Sequence, residues 1–276
     1  LLQPEVNEQI RAQFQELATT KILYQKKDLL EQQTIQLVQN LVSFSKNNNC
    51  KTISMSSEGL MSWYDETISA KWPMHGYFKN IIRDPQKDPL CLYLKNFFVP
   101  IWQRHGDLEL VVVARNQSDF LASIYAQISY SIVFRSQRNF ELQFMRLIEN
   151  NDPFLDYHTR FTELSKCVGI NNFHVFFYET LFEKENFDRF TSVMNAIGNN
   201  DDTNSFMNKR RVDGSEKSWA LRPRIGLLET LTTAFGWTDK TIKLTPKMMT
   251  NMKAHCSIAN EQLASKTGVN LSEYGY

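Results

Sequence analysis

The sequence predicts an α/β protein with a three-layer α/β/α architecture and a short parallel sheet. Strand-like runs alternate with helical segments along the chain, an order typical of parallel strands joined by helices. The clearest strand, Leu108–Ala114, is β-branched and almost continuously apolar, as in parallel strands covered on both faces. We expect strands near residues 51–56, 108–114 and 173–178, within a single domain over residues 1–276.

Composition agrees with one folded domain and argues against several classes of protein. The 276 residues are 42% apolar, which is enough to bury a substantial core. With 31 Lys and Arg against 30 Asp and Glu, the formal charge is +1, so nucleic acid is not expected as a partner. No apolar run approaches the ~18 residues of a membrane span.

The compartment is predicted from the cysteines and from the start of the sequence. Four cysteines lie far apart without a C-x-x-C pair, which favours free thiols over a disulfide framework or a zinc site: Cys50, Cys91, Cys167 and Cys256. The first thirty residues are polar and show no signal peptide. We therefore expect a cytoplasmic protein without a metal.

The helices are predicted from apolar residues at three- and four-residue spacing. The helix after the strand 108–114 is expected to begin near Asp119, with Ser118 as its N-cap. That helical region is expected to continue to about Val168, with a break near residue 151. Further helices are expected over residues 5–47, from Phe187 to Ile197 and from residue 218 to about 266. The segment 199–217 is expected to be a loop.

Polar residues follow each of the predicted strands. They are Ser56-Ser57-Glu58 after the first, Arg115-Asn116-Gln117-Ser118 after the second and Tyr178-Glu179 after the third. Ligands of open parallel sheets bind beyond the carboxyl ends of the strands. These residues are therefore candidates for a site, although polar residues end strands in proteins of many functions.

The spacing of Arg115 and Ser123 predicts a pocket for a phosphate group. Arg115 ends the best strand, and Ser123 follows eight positions later on the next helix. The start of such a helix offers N–H groups and the positive end of its dipole, and an arginine adds a forked, charged donor. A surface salt bridge is the alternative role for Arg115.

This region resembles one family. The segment VVVARNQSDFLASIY, from Val111, resembles the 3′-phosphate-binding segment of sulfotransferases that use 3′-phosphoadenosine 5′-phosphosulfate (PAPS). In that family an arginine at the strand end and a serine eight positions later bind the 3′-phosphate, which implies these roles for Arg115 and Ser123. The later segment VFFYETL, from Val175, is similar to the strand whose tyrosine approaches the adenine, which implies that role for Tyr178.

Weaker similarities occur in the same order along residues 50–270. The strand end at Ser56-Ser57-Glu58 and the segment SIANEQLA, from Ser257, resemble bacterial capsular and galactose-type carbohydrate sulfotransferases. Arg210 and Arg211 are similar to a loop that closes over the nucleotide in that family, although a solvated basic turn is an equal alternative. The resemblance implies a P-loop nucleotide-binding fold, PAPS as co-substrate and a carbohydrate hydroxyl, or another hydroxyl, as acceptor.

One element of the family pattern does not occur in the sequence. Family members hold the 5′-phosphosulfate with an N-terminal strand and a loop such as P-K-T-G-T-T. Lys266-Thr267-Gly268 has similar letters, but it follows a predicted helix and no strand precedes it, so we interpret the match as chance. Either such a loop lies before Leu1, which we expect from the helical pattern already present at Val6, or it is absent and catalysis is impaired.

Glu58 is the expected catalytic base, because a carboxylate can take the proton of an attacking hydroxyl. Capping of the next helix is the alternative for Glu58, and His75 is the alternative base. The predicted function is therefore transfer of a sulfuryl group from PAPS to a carbohydrate hydroxyl. A catalytically silent nucleotide-binding module and a helical scaffold are the competing hypotheses.

Overall fold

The computed structural model is mostly helical and contains two small sheets. It describes residues 10, 12–14, 16–17, 26–49, 89–132, 134–152, 155–197, 218–222 and 238–276. Within these ranges there are eight α-helices, one two-stranded parallel sheet and one two-stranded antiparallel sheet.

The helices and strands follow each other in a mixed order. The helices are α1 Lys27–Asn47, α2 Pro89–Tyr93, α3 Val99–Trp102, α4 Gln117–Ile128, α5 Gln137–Glu149, α6 Tyr157–Val168, α7 Lys184–Ile197 and α8 Pro246–Thr267. The strands are β1 Leu110–Ala114, β2 Phe173–Phe177, β3 Ser218–Ala220 and β4 Thr241–Lys243.

The parallel sheet consists of β1 and β2. Leu110 lies opposite Phe173 and Ala114 opposite Phe177, so both strands end at the same level. The strands predicted at 108–114 and 173–178 are thus confirmed, each with slightly shorter bounds. The strand predicted at 51–56 lies outside the described residues. With eight helices and two small sheets, one of them parallel, the described part of the chain is mixed α/β in a loose sense.

A π-helical stretch, Leu94–Phe98, joins α2 to α3. The N–H of Val99 donates to the carbonyl of Leu94, five residues back. Pro100 follows; it lacks an N–H, and its ring would clash with the carbonyl of Asn96 in a regular α-helix. The wider turn before Pro100 relieves that clash while the helix continues. Its inward side chains Leu94, Phe97 and Phe98 are buried.

Two hydrophobic clusters form the core of the described residues. The first surrounds the parallel sheet and includes buried side chains from α1, α2, α6 and the C-terminal segment, among them Leu37, Tyr93, Val112, Leu164, Phe177 and Tyr276. The second lies between α4, α5, α8 and the antiparallel sheet, and includes Leu121, Tyr125, Phe140, Trp219, Ile242 and Met252. Helix α4 begins at the end of β1 and buries its inner face in the second cluster, so the β1–α4 turn lies at the junction.

The uninterrupted helix predicted from residue 218 to about 266 is wrong. Strands β3 and β4 pair antiparallel there, with Trp219 opposite Ile242, and α8 begins only at Pro246. In both strands the middle residue is buried between two exposed ones. Three residues are too few for this alternation to stand out from a helical pattern.

Candidate functional site

The parallel register brings Arg115 and Tyr178 together. Each is the first residue after its strand, and the last strand residues, Ala114 and Phe177, are direct partners. Neighbouring parallel strands lie about 4.8 Å apart, so the residues that leave them start side by side. The Arg115 guanidinium carbon lies 5.2 Å from the centre of the Tyr178 ring, within the range of a cation–π contact. Two residues predicted from separate segments therefore share one site.

Hydrogen bonds anchor the backbone of the turn that carries Arg115. The Tyr157 hydroxyl donates to the Arg115 carbonyl at 2.9 Å. The Asn116 N–H donates to Oε1 of Glu179 at 3.0 Å, and Asn116 Nδ2 donates to the Gly275 carbonyl at 2.7 Å. These partners come from α6, from the residues after β2 and from the C-terminal segment, so distant parts of the chain hold the turn.

Asn116, and not the predicted Ser118, caps α4. Its Oδ1 accepts from the N–H of Ser118 at 2.9 Å and from that of Asp119 at 3.4 Å. Helix α4 consequently begins at Gln117 and Ser118 lies within its first turn. An asparagine side chain reaches the N–H groups two and three residues ahead as well as a serine does, which explains the difference from the prediction.

The Arg115 side chain keeps unused hydrogen-bonding capacity. Its Nε atom is buried and has no hydrogen-bond partner within the described ranges, although the side chain as a whole is only half-buried. A buried donor without an acceptor costs free energy, and an incoming anion would supply the acceptor. A guanidinium binds phosphate oxygens through several N–H groups at once.

The carboxylate of Glu179 is already engaged. Oε1 accepts from the Asn116 N–H, and Oε2 accepts from the Tyr276 hydroxyl at 2.6 Å. Burial raises the pKa of Tyr276 far above its ordinary value, and the negative charge of Glu179 raises it further. The hydroxyl of Tyr276 therefore stays protonated and remains the donor. Both oxygens of the Glu179 carboxylate thus have partners.

A buried amide pair lies behind the same turn. Nε2 of Gln117 donates to Oδ1 of Asn260 at 2.8 Å, which links the start of α4 to α8. Both side chains are almost fully buried. Asn260 therefore connects α8 to the residue that follows the N-cap of α4.

Ser123 lies on α4, nearly two turns beyond the cap. At ~1.5 Å per residue it is about 10 Å along the axis from Asn116. Side chains in a helix point back toward its N-terminus, and Ser123 shares a face with Asp119. Ser123 is half-buried. Its position on the helix that follows Arg115 is as expected, but the structure shows no hydrogen bond between the two.

The remaining predicted site residues lie outside the described residues: Glu58, His75, Arg210 and Arg211. Lys266-Thr267-Gly268 is described, and it ends α8. Gly268 adopts a left-handed conformation, with φ of 73°, and its N–H donates to the Ala264 carbonyl. The segment is therefore a helix C-terminus, as interpreted from the sequence, and not a phosphate loop.

Sequence analysis missed two tyrosines that hydrogen-bond to residues at the strand ends. Tyr157 and Tyr276 each bring a hydroxyl to the strand ends from helix α6 and from the C-terminal segment. No spacing rule links a residue to a partner 42 or 97 positions away. Asn116 and Glu179 could be found only as polar residues after strands, without their roles.

Comparisons with protein-family models, curated proteins and solved structures find no match for this chain. No helix in the described ranges is long and apolar enough to cross a membrane. In the same ranges, no three metal-binding side chains come together. The geometry of the strand ends is therefore what bears on function.

Proposed function

We propose that this chain transfers a sulfuryl group from PAPS to a hydroxyl group of a carbohydrate. The observation that carries the proposal is the pairing of Arg115 and Tyr178 at the carboxyl ends of two parallel strands in register. A phosphate-binding arginine beside an aromatic ring suits a ligand that combines a phosphate with a purine base.

The residues present fit the nucleotide part of PAPS. Arg115, whose buried Nε has no partner among the residues that the structure describes, would hold the 3′-phosphate, and Tyr178 offers a ring beside it. Ser123 would add a hydroxyl to the same phosphate, in line with the resemblance to the 3′-phosphate-binding segment. PAPS itself supplies the sulfuryl group, and Glu58 is the proposed base for the acceptor hydroxyl.

The state of the acidic groups supports anion binding at this place. Glu179 would oppose a phosphate if its carboxylate faced the ligand with free oxygens. Instead it accepts hydrogen bonds from Asn116 and Tyr276, which leaves the Arg115 guanidinium available. The unpaired donor and the occupied acid together favour an anionic ligand at Arg115.

Calorimetric titration with 3′-phosphoadenosine 5′-phosphate tests the nucleotide site. Arg115→Ala should weaken binding by about 1.5–3 kcal/mol, the contribution of a hydrogen bond to a charged group. That is about 10- to 150-fold in affinity. Ser123→Ala should cost less, and adenosine 5′-phosphate, which lacks the 3′-phosphate, should bind both variants as it binds the wild type.

Arg189→Ala is the matched control for the titration. Arg189 also lies over an aromatic ring of the sheet, with 5.7 Å from its guanidinium carbon to the Phe176 ring, but it belongs to α7 and not to the strand ends. Removing it deletes the same charge and should leave nucleotide affinity unchanged. Equal losses for Arg115→Ala with both nucleotides would show that Arg115 does not bind the 3′-phosphate.

A transfer assay separates the enzyme from the silent nucleotide-binding module. Labelled PAPS is incubated with the protein and a panel of polysaccharides, and the label in the polysaccharide is measured. Transfer to one of them supports the proposal. Nucleotide binding without transfer to any acceptor would leave the silent module as the better account.

A further inference from the structure

The C-terminal segment Asn270–Tyr276 packs directly onto the strand ends. The Tyr276 side chain is 3% exposed and meets the Phe177 ring edge-on, with centroids 5.4 Å apart. Gly275 has a φ of 81°, a conformation that other residues rarely adopt, and its carbonyl accepts from Asn116 Nδ2. The segment is therefore built into the site through ring packing, a hydrogen bond and a backbone shape suited to glycine.

Tyr276 and the Arg115 turn are connected through a single carboxylate. Glu179 accepts from the Tyr276 hydroxyl with one oxygen and from the Asn116 N–H with the other. Each donor therefore restricts the orientation of the carboxylate for the other. Asn116 is the residue next to Arg115, so the orientation of Glu179 bears directly on the turn from which the guanidinium projects.

Loss of the Tyr276 hydroxyl would release one end of this bridge. Glu179 follows Tyr178, whose ring already lies beneath the Arg115 guanidinium. A carboxylate with a free oxygen at that place is attracted to the guanidinium, because opposite charges at short range attract strongly where water is partly excluded. The resulting ion pair would compete with a phosphate for Arg115.

We propose that Tyr276 is a positioning residue for the nucleotide: by donating to Glu179 it holds that carboxylate on the Asn116 N–H and away from Arg115. The inference rests on the proposed function, since it concerns the same arginine. It adds a residue far from the phosphate-binding segment to the determinants of affinity, and it gives the C-terminal segment a role in selecting a 3′-phosphate.

The test compares Tyr276→Phe with Tyr274→Phe in the full chain. Tyr274 lies in the same segment, and its hydroxyl donates to Glu183, whereas the hydrogen bonds to residues 115 and 116 described above involve Tyr157, Glu179 and Gly275. Tyr276→Phe should weaken binding of 3′-phosphoadenosine 5′-phosphate about three- to tenfold, which lies within the range observed for residues that act through another residue. Adenosine 5′-phosphate should bind it unchanged, and Tyr274→Phe should bind both nucleotides as the wild type does.

A second variant identifies the carboxylate as the cause. In the Tyr276→Phe background, Glu179→Gln keeps an oxygen for the Asn116 N–H but cannot form an ion pair with Arg115. The double variant should recover most of the lost affinity. Equal losses for both nucleotides, a gain in affinity, unchanged affinity or a failure of Glu179→Gln to rescue would each overturn the inference.

Hydrogen exchange without ligand separates this inference from the proposed function. In the wild type the Asn116 amide is bonded to Glu179 and should exchange slowly. Tyr276→Phe should speed its exchange about three- to tenfold while Tyr274→Phe leaves it unchanged. Unchanged exchange in Tyr276→Phe would refute the bridge. A wild type that does not bind 3′-phosphoadenosine 5′-phosphate would refute the proposed function, whatever the exchange result.

Discussion

Replacing Asn116 should be one of the most destabilising changes to a polar residue near the site. Its Oδ1 caps α4 with bonds of 2.9 and 3.4 Å, and its Nδ2 donates to the Gly275 carbonyl at 2.7 Å. Loss of an N-cap costs about 0.5–2 kcal/mol, and an ordinary hydrogen bond between distant segments contributes about 1 kcal/mol. Because Asn116 is 8% exposed, water replaces these bonds poorly. Asn116→Ala should therefore lower the free energy of unfolding by about 1.5–3 kcal/mol.

Urea denaturation measures this loss, with Asn116→Ser and Ser136→Ala as comparisons. Serine keeps an oxygen that can cap α4 but has no group that donates to Gly275, so its loss should be smaller than that of alanine. Ser136 caps α5 through a single bond to the Asn139 N–H at 3.2 Å, so Ser136→Ala should cost only the cap, about 1 kcal/mol. Equal losses for Asn116→Ala and Ser136→Ala would show that the bond to the C-terminal segment contributes no stability.

Two further predictions concern pH and catalysis. Burial raises the pKa of Tyr125 to about 12 in the folded protein, against about 10 when unfolded, so the folded state binds more protons between these values. The contribution of Tyr125 to stability should be constant below pH ~10 and fall by up to about 3 kcal/mol as the pH rises to ~12, so Tyr125→Phe should make the fall of the whole protein shallower by that amount; an equally steep fall in that variant would contradict the assignment. Glu58→Gln should lower the turnover with PAPS about 10²- to 10⁴-fold and leave nucleotide affinity unchanged, whereas full turnover would make His75 the better candidate for the base.

The sequence predicted the parts of the site that depend on local pattern. β1 was recognisable because five consecutive apolar or β-branched residues suit a buried parallel strand. Its end and the end of β2 marked Arg115 and Tyr178 as residues that follow strands, but the register that brings the two together comes from the structure. Alternation and apolar runs are properties of neighbouring residues, and such properties can be read from the chain.

The parts that sequence analysis missed depend on contacts between distant residues. The role of Glu179 comes from its partners, Asn116 and Tyr276, and neither hydrogen bond leaves a pattern around Glu179 itself. The cap of α4 was misassigned because asparagine and serine are both good caps and lie two positions apart, so only the geometry could distinguish them. The strand predicted at 51–56 stays a prediction.

We expect the hydrogen bond between Asn116 and Gly275 to form late in folding. It joins residues 159 positions apart, and the bond between Tyr276 and Glu179 joins residues 97 apart. Contacts that close such long loops form slowly, because a large entropy must be lost before they are made. During synthesis, residues 270–276 emerge after every element that they fasten. A nascent chain can therefore pair β1 with β2 while the turn that carries Arg115 still lacks its hydrogen bonds to Gly275 and to the carboxylate that Tyr276 holds.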